Sequence, residues 1–211
     1  MNIILQNYKS REILLELLKR RDFVTEDYEG FDKNEIDTMT RNNTLDMLMT
    51  THLEKTPLKK VYVKYLRVDE SVSEALVNHT ITDLYENNQV LSQQDMLVIV
   101  SNDEPNDKLQ LYLTNLYENT KRSLFVTVLN IRRLQFNVLK HELQPREIHI
   151  LTAEEKADLF TKLNIRSNRD LPEISRFDPL ALALFLRPGE VCRFVRDSPV
   201  AITAEYYRVC V

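Results

Sequence analysis

Residues 96–129, MLVIVSNDEPNDKLQLYLTNLYENTKRSLFVTVL, decide the fold of the N-terminal part of this chain. The first five residues are continuously apolar, which is typical of a strand covered on both faces. A helical pattern follows, with Asp103 as its predicted N-terminal cap and Pro105 in its first turn. The stretch ends in a second apolar strand over 124–129. It therefore predicts a strand–helix–strand unit whose two strands are parallel.

The residues upstream predict a second unit of the same kind. The β-branched and aromatic run over 60–66 is typical of a strand, and the pattern over 71–88 predicts a helix. Another helix is predicted over 10–21 from an apolar stripe. Strands and helices that alternate in this way favour a three-layer α/β domain with largely parallel strands. We place this N-terminal domain at residues 1–138.

Residues 22–37 carry the densest charge in the chain. They contain seven acidic residues and one lysine, a net charge of −6. Two interpretations stay open from the sequence: a solvated loop or helix face, or a docking site for a basic partner.

The C-terminal part, residues 139–211, predicts a small mixed α+β domain. Thr152 and Glu155 have the spacing of a capping box, and the helix after it places Ala153, Ala157, Phe160 and Leu163 on its predicted apolar face. Asp178-Pro179 predicts a second helix start, because an acid caps the helix and proline suits its first position. Pro188-Gly189 predicts a turn. Paired strands are predicted over 191–196 and 205–211.

Composition excludes several classes of function. The chain has 211 residues and a net charge of −4, of which −3 falls in residues 1–140 and −1 in residues 141–211, so there is no general basic face for gripping DNA unaided. Its two glycines are too few for a phosphate-binding loop. Cys192 and Cys210 suit a reducing compartment and are expected to be buried free thiols. We expect no signal peptide and no membrane span, since no apolar run approaches eighteen residues.

The motifs of the last third occur in a definite order: His141-Glu142-Leu143-Gln144-Pro145, then Asp178-Pro179, Pro188-Gly189-Glu190-Val191, Arg196-Asp197-Ser198 and Tyr207-Arg208-Val209. This order and spacing resemble the C-terminal assembly domain of the fifth common subunit of eukaryotic nuclear RNA polymerases, a family that also has archaeal members. The resemblance covers about a third of the chain well and extends more weakly towards the N-terminus.

The resemblance implies a non-catalytic subunit of a DNA-directed RNA polymerase that acts in transcription without a cofactor. Its C-terminal assembly domain would dock on the largest subunit, and its N-terminal jaw domain would flank downstream DNA within the assembled complex. The matching positions, which would lie at the subunit interface, are His141, Glu142, Leu143, Pro145, Asp178, Pro179, Gly189, Glu190, Val191, Arg196, Ser198, Tyr207 and Arg208. Pro105 and Lys108 would be proximal to DNA.

The chain also departs from the family pattern. Ile202 and Thr203 stand where the family usually has glycine and arginine, and Phe185 stands where it has a glycine. Near Pro105 this chain has acidic residues, which would repel phosphate. Such divergence suits a viral or protist copy. An intracellular location is expected, in the nucleus for a cellular protein and in a cytoplasmic factory or virion for a viral one.

Two alternatives remain from other classes. A Mg²⁺-dependent nuclease of restriction-endonuclease-like fold would need two carboxylates and a lysine; Asp46 or Glu54 could supply one acid, but Tyr62 stands in place of the second before Lys64. A free-standing adaptor could instead use the assembly domain alone. Zinc-protease chemistry is excluded at His141, since Pro145 takes the place of the second histidine.

Overall fold

The computed structural model describes residues 3–52, 58–121 and 123–211. The chain divides into two compact units, residues 1–137 and 138–211. Each unit contains helices and a four-stranded sheet, so the fold is α+β. None of the helices in the described ranges is long and apolar enough to cross a membrane.

The first unit is built on a sheet with strand order β1-β2-β3-β4. The strands are β1 Met47–Thr50, β2 Lys60–Tyr65, β3 Met96–Ser101 and β4 Phe125–Asn130. The predicted strands β2, β3 and β4 are parallel, whereas the short β1, which the sequence did not predict, pairs antiparallel with β2. Every residue of β3 and β4 is buried, as the continuous apolar runs required.

The α-helices described in this unit are α1 Ile3–Lys19, α2 Lys33–Asn42, α3 Glu74–Ile81 and α4 Asp107–Asn119. Helix α1 begins seven residues before the predicted start at Ser10. The sequence pattern missed its first part because Asn7, Ser10 and Arg11 are buried polar residues that interrupt the apolar stripe. The predicted helix over 71–88 is divided, with α3 followed by π-helical turns over Thr82–Asn87.

The predicted cap of α4 was wrong. Asn106, not Asp103, caps the helix, and its side-chain oxygen accepts a hydrogen bond from Leu109 N at 2.8 Å. The backbone N–H of Asp103 is instead bonded to Ser101 Oγ. Pro105 therefore lies outside the helix, directly before its cap, where its fixed φ costs the helix no hydrogen bond.

The acidic segment lies along the open edge of the first sheet. Val24 N donates to Thr50 O (2.8 Å) on β1. Tyr28 OH donates to Leu48 O (2.9 Å) and also accepts from Leu48 N (3.1 Å), so one phenol satisfies both backbone groups of an edge residue. Asp32 and Glu35 form a capping box at the start of α2. At least part of this charge therefore serves local structure.

The second unit has strand order β5-β7-β8-β6. The strands are β5 Glu147–Ile150, β6 Glu173–Ile174, β7 Val191–Ser198 and β8 Ile202–Cys210. Strands β7 and β8 are the predicted hairpin; β5 pairs antiparallel with β7, and β6 pairs parallel with β8. Both predicted strands extend towards the hairpin tip beyond their predicted ends.

Two α-helices complete this unit, α5 Ala153–Lys162 and α6 Pro179–Ala183. The capping box at Thr152 is confirmed. Of the predicted apolar face of α5, Phe160 packs against the core of the unit and the other three residues do not. Leu159 is the buried residue of that helix, Ala153 and Ala157 are exposed, and Leu163 is half exposed. Leu159 packs with Val191 and Val209 of the hairpin.

The opposite face of this sheet packs a separate cluster. Phe194 stacks on Tyr206 with ring centroids 5.1 Å apart, next to Ile148 of β5. Cys192 and Cys210 belong to the same cluster and are buried free thiols, as predicted. Burial raises the pKa of Cys210 to about 12.

Candidate subunit interface

The segment that opens the motif series, residues 141–145, forms a tight turn rather than a helix. Gln144 N donates to His141 O (2.9 Å), and His141 Nδ1 accepts from Leu143 N (3.2 Å). The side chain of Leu143 is 80% exposed, which leaves a large apolar group without burial. A histidine so engaged, followed by Pro145, is not arranged as a helical metal site.

The Pro188-Gly189 turn is closed as predicted. Glu190 N donates to Arg187 O (3.0 Å), and Glu190 Oε2 accepts from Arg187 N (2.9 Å). Gly189 has φ +94°, a conformation that favours glycine, and its N–H donates to Cys210 O (2.8 Å). Lys156 Nζ, which was not predicted from the sequence, donates to Gly189 O (2.9 Å) and ties α5 to the turn.

The residues at Asp178-Pro179 also build local structure. Asp178 Oδ1 accepts from Leu180 N at 2.8 Å, and Pro179 occupies the first turn of α6. This helix contributes Ala181 to the core of the second unit. Val191 is fully buried as well. Val191 therefore shapes the unit from inside, whereas Asp178 is half-buried and Pro179 is exposed at the start of the helix.

Other predicted interface residues lie along the hairpin and do reach the surface. The Arg196 guanidinium lies over the Tyr206 ring at 5.1 Å from the ring centroid. Arg208 is exposed, and its Nη1 contacts Glu173 O at 3.4 Å. Tyr207 is half-buried against the α5 side, and its OH donates to Glu205 Oε2 (3.2 Å). Ser198 Oγ accepts weakly from two backbone amides at the hairpin tip.

The predicted residues divide between the two ends of the second sheet. Strand β5 pairs with β7 only as far as Val195, so the 141–146 turn lies at the same end as the hairpin tip. Arg146, another residue not predicted from the sequence, joins them through Nη1 to Asp197 Oδ1 at 3.1 Å. The Gly189 turn begins β7 at the other end, about 23 Å away at the usual rise per strand residue. One set thus contains His141 to Pro145, Arg196 and Ser198, and the other contains Asp178, Pro179, Gly189, Glu190, Val191 and Arg208. Tyr207 lies between them, opposite Arg193 in the hairpin.

Both positions at which the chain lacks an expected glycine have positive φ. Phe185 has φ +49° and Ile202 has φ +63°. The Phe185 side chain is 1% exposed and fills the core, whereas Ile202 is 83% exposed. The backbone demand for glycine is thus present at both places, but only Phe185 gains burial within the unit.

The predicted DNA-proximal residues lie at the start of α4 in the first unit. Lys108 is exposed in the first helical turn, and Pro105 accepts a hydrogen bond from Gln110 Nε2 at 3.0 Å through its carbonyl. The neighbouring Glu104 is bonded to Arg133 at 3.0 Å, which lowers the pKa of its carboxyl and balances part of the acidic charge.

The carboxylate considered for nuclease chemistry is already engaged. Tyr62 OH donates to Asp46 Oδ2 and Tyr65 N donates to Asp46 Oδ1, both at 2.9 Å. Lys64 Nζ contacts Thr80 Oγ1 at 3.4 Å. Burial raises the pKa of Asp46, which disfavours the charged form that Mg²⁺ would need. Glu54 lies outside the described residues.

The residues that the structure describes contain no other candidate metal site. Within those ranges there is no group of three or more histidine, cysteine, aspartate or glutamate residues placed to hold a metal ion.

Comparison with known proteins matches the second unit. The family model described as "RNA polymerase Rpb5, C-terminal domain" matches residues 136–210. The "DNA-directed RNA polymerase subunit Rpo5" of Thermococcus kodakarensis is 43% identical over 77 residues, which cover 36% of this chain and 92% of that protein. The corresponding protein of Staphylothermus marinus is 41% identical over 75 residues, covering 36% of this chain and 80% of the relative. The "DNA-directed RNA polymerases I, II, and III subunit RPABC1" of Caenorhabditis elegans is 37% identical over 78 residues, covering 37% and 36% of the two chains.

Proposed function

Because this chain belongs to the Rpb5/Rpo5 family of DNA-directed RNA polymerase subunits, we propose that it docks on the largest polymerase subunit through residues 138–211. It acts as a non-catalytic part of the transcription complex. The observation that carries the proposal is the coincidence of two boundaries: the family match over 136–210 and the compact unit over 138–211. Relatives that consist almost wholly of this unit are polymerase subunits by name.

Some motif residues are exposed and others are buried or hydrogen-bonded within the unit, and this difference suggests how the domain docks. Gly189, Val191 and Asp178 hold the turn, the strand and the helix in place, as their buried or hydrogen-bonded positions require. Arg196 and Arg208 present exposed guanidinium groups. A guanidinium binds carboxylates and backbone oxygens in a planar, bidentate manner and is enriched at interfaces. The exposed set contacts the partner and the buried set keeps that surface in shape.

For the first unit we propose a supporting role beside downstream DNA within the assembled complex. Residues 1–137 hold 17 lysines and arginines against 21 acidic residues, a net charge of −4, so this unit has no general attraction for phosphate. Lys108 is exposed at the start of α4, and Arg133 partly neutralises Glu104 beside it. DNA held by the rest of the polymerase can therefore pass this edge, while the isolated chain is expected to leave DNA unbound.

The proposed function is tested by affinity purification of the tagged full-length chain from its native cells, with mass spectrometry of the proteins that accompany it. Recovery of the two very large polymerase subunits in amounts comparable to the bait supports the proposal. If the chain is recovered without polymerase subunits, the proposal fails and a free-standing adaptor takes its place. The same location as RNA polymerase, the nucleus in a eukaryotic cell, is expected by fluorescence microscopy.

A further inference from the structure

The tip of the β7–β8 hairpin carries two large apolar side chains in water. Val200 is 95% exposed and Ile202 is 83% exposed. Strand β5 ends its pairing at Val195, so this part of the hairpin is a two-stranded ribbon that extends beyond the rest of the sheet. Isolated exposed apolar residues are ordinary, but two at the tip of one projecting ribbon form a small apolar knob.

The conformation of Ile202 makes this knob unusual. Its φ is +63°, and among the described residues with positive φ it is the only β-branched one. A β-branched side chain in this region is a true outlier, because its Cβ crowds the backbone. Phe185 also has positive φ, yet its ring is buried in the core. Ile202 has no such burial in the free chain, so no burial of its side chain offsets the unfavourable backbone conformation.

The ribbon holds this knob in a defined position. The strand register continues to the pair Ser198 and Ile202, and Thr203 N donates to Ala201 O at 2.6 Å. Arg196 lies over Tyr206 at the base of the ribbon. Side chains presented on an ordered support lose little entropy on binding, which is the advantage of a preorganised anchor.

We propose that Val200 and Ile202 form an anchor that inserts into an apolar pocket on another RNA polymerase subunit. This inference rests on the proposed function and deepens it by naming the chemistry of the contact. The pocket must be apolar and narrow, since the knob is made of two branched aliphatic groups at the end of a ribbon. Two side chains fall far short of the roughly 800 Å² per partner of a standard interface. By themselves they do not hold a second copy of the chain, and they act within a larger contact with the polymerase.

The larger contact lies at the same end of the sheet. Leu143 is 80% exposed in the 141–145 turn, and the bond from Arg146 to Asp197 joins the residue after that turn to the ribbon. Exposed apolar groups from two segments of the second unit thus share one end, flanked by Arg196. An apolar centre with arginine beside it is the composition of an interface hot spot.

The test is a competition for incorporation with the full-length chain. Wild type and a variant, distinguished by mass labels, are supplied in equal amounts during polymerase assembly, and their ratio is measured in the isolated enzyme. The variants are Ile202→Asn, since asparagine tolerates positive φ, and Val200→Thr, which keeps the shape and replaces a methyl group by a hydroxyl. Leu111→Ser, at a 63% exposed position on α4 of the first unit, is the control. The melting temperature of each free chain is measured in parallel.

The expected result is a loss of incorporation without a loss of stability. Ile202→Asn relieves backbone strain, so its melting temperature stays equal or rises by up to roughly 5 °C, while its share of the assembled polymerase falls about tenfold or more. Val200→Thr keeps its melting temperature, and its share of the assembled polymerase also falls about tenfold, because the hydroxyl enters an apolar pocket without a hydrogen-bond partner. The control competes equally with wild type.

Two outcomes overturn the anchor. Equal incorporation of both tip variants would show that the knob contacts nothing in the polymerase. Self-association of the wild-type chain in sedimentation, abolished by Ile202→Asn, would show that a second copy occupies it. Failure of the wild-type chain itself to enter the polymerase would refute the proposed function instead, so the two failures are distinguishable.

Discussion

Replacement of Gly189 by a series of residues measures how much one turn contributes to the stability of the second unit. A Cβ built on Gly189 meets no atom within 4 Å, so the first side-chain atom has space. The cost of substitution therefore arises from the backbone alone, which must keep φ at +94°. Left-handed backbone costs an ordinary residue about 1–2 kcal/mol, and the cost for a β-branched one reaches about 3 kcal/mol.

These values predict an order. Gly189→Asn should lower the stability of the second unit by under about 1 kcal/mol, since asparagine tolerates positive φ. Gly189→Ala should lower it by about 1–2 kcal/mol and Gly189→Val by about 2–3 kcal/mol. For a domain of this size, each kcal/mol corresponds to a fall in melting temperature of roughly 4–8 °C. The turn directly precedes β7, and its Gly189 N donates to Cys210 O of β8. A variant that destabilises the turn should therefore also reduce incorporation of the chain into the polymerase.

Calorimetry of the full-length chain gives the melting temperatures, and hydrogen exchange of the β7 amides assigns the change to the second unit. Protection of the β3 amides in the first unit serves as the internal control. A Gly189→Ala variant that melts within about 1 °C of wild type, well under the expected fall, would refute the reasoning from backbone conformation. Equal losses for asparagine and valine would refute it as well, because they would point to the loss of glycine itself rather than to φ.

Three further predictions follow from other contacts. Thr152→Ala removes the hydroxyl that accepts from Glu155 N at 3.3 Å and should lower stability by about 1 kcal/mol. The control, Thr161→Ala at an exposed position inside α5, should change stability by under about 0.5 kcal/mol. Equal losses of stability for the two variants in calorimetry would contradict the capping role of Thr152. The Cys210 thiol, with its pKa raised to about 12, should resist a thiol reagent at mildly alkaline pH in the folded chain and react after denaturation; rapid reaction of the native protein would be the contrary result. Burial raises the folded pKa of Asp46 above its ordinary value of 3.8, so the folded chain retains a proton that the unfolded chain releases. The stability of the chain should therefore fall as pH rises from about 4 through the folded pKa. In urea unfolding, Asp46→Asn should flatten that part of the dependence of stability on pH, and an unchanged slope would contradict the assignment to Asp46.

The sequence predicted the elements whose signals are local and strong. The apolar runs of β3 and β4 and the capping box at Thr152 needed only period and spacing, and the structure confirms them. The short strand β1 was missed because four residues, Met47–Thr50, give too brief an alternation. The cap of α4 was misplaced because Asp103 and Asn106 are both good caps, and only the hydrogen bond to Leu109 N distinguishes them.

The candidate interface was predictable as a set of residues but not as a surface. Motif order brought Gly189, Val191 and Arg196 together in sequence, yet whether a side chain faces the core or the solvent depends on strand register. The bonds from Arg146 to Asp197 and from Lys156 to Gly189 join residues 51 and 33 positions apart, which no local pattern indicates. The exposed position of Ile202 at positive φ likewise becomes visible only once the hairpin tip is formed.

The phenol of Tyr28 has a consequence for the chain before it joins any complex. An open edge strand offers its N–H and C=O groups to identical edges on other molecules, which is how sheets grow into aggregates. In this protein a single hydroxyl occupies both groups of Leu48 in the middle of β1. Together with the bond from Val24 N to Thr50 O, this hydroxyl leaves less of the strand open to edge-to-edge pairing between free copies of the chain.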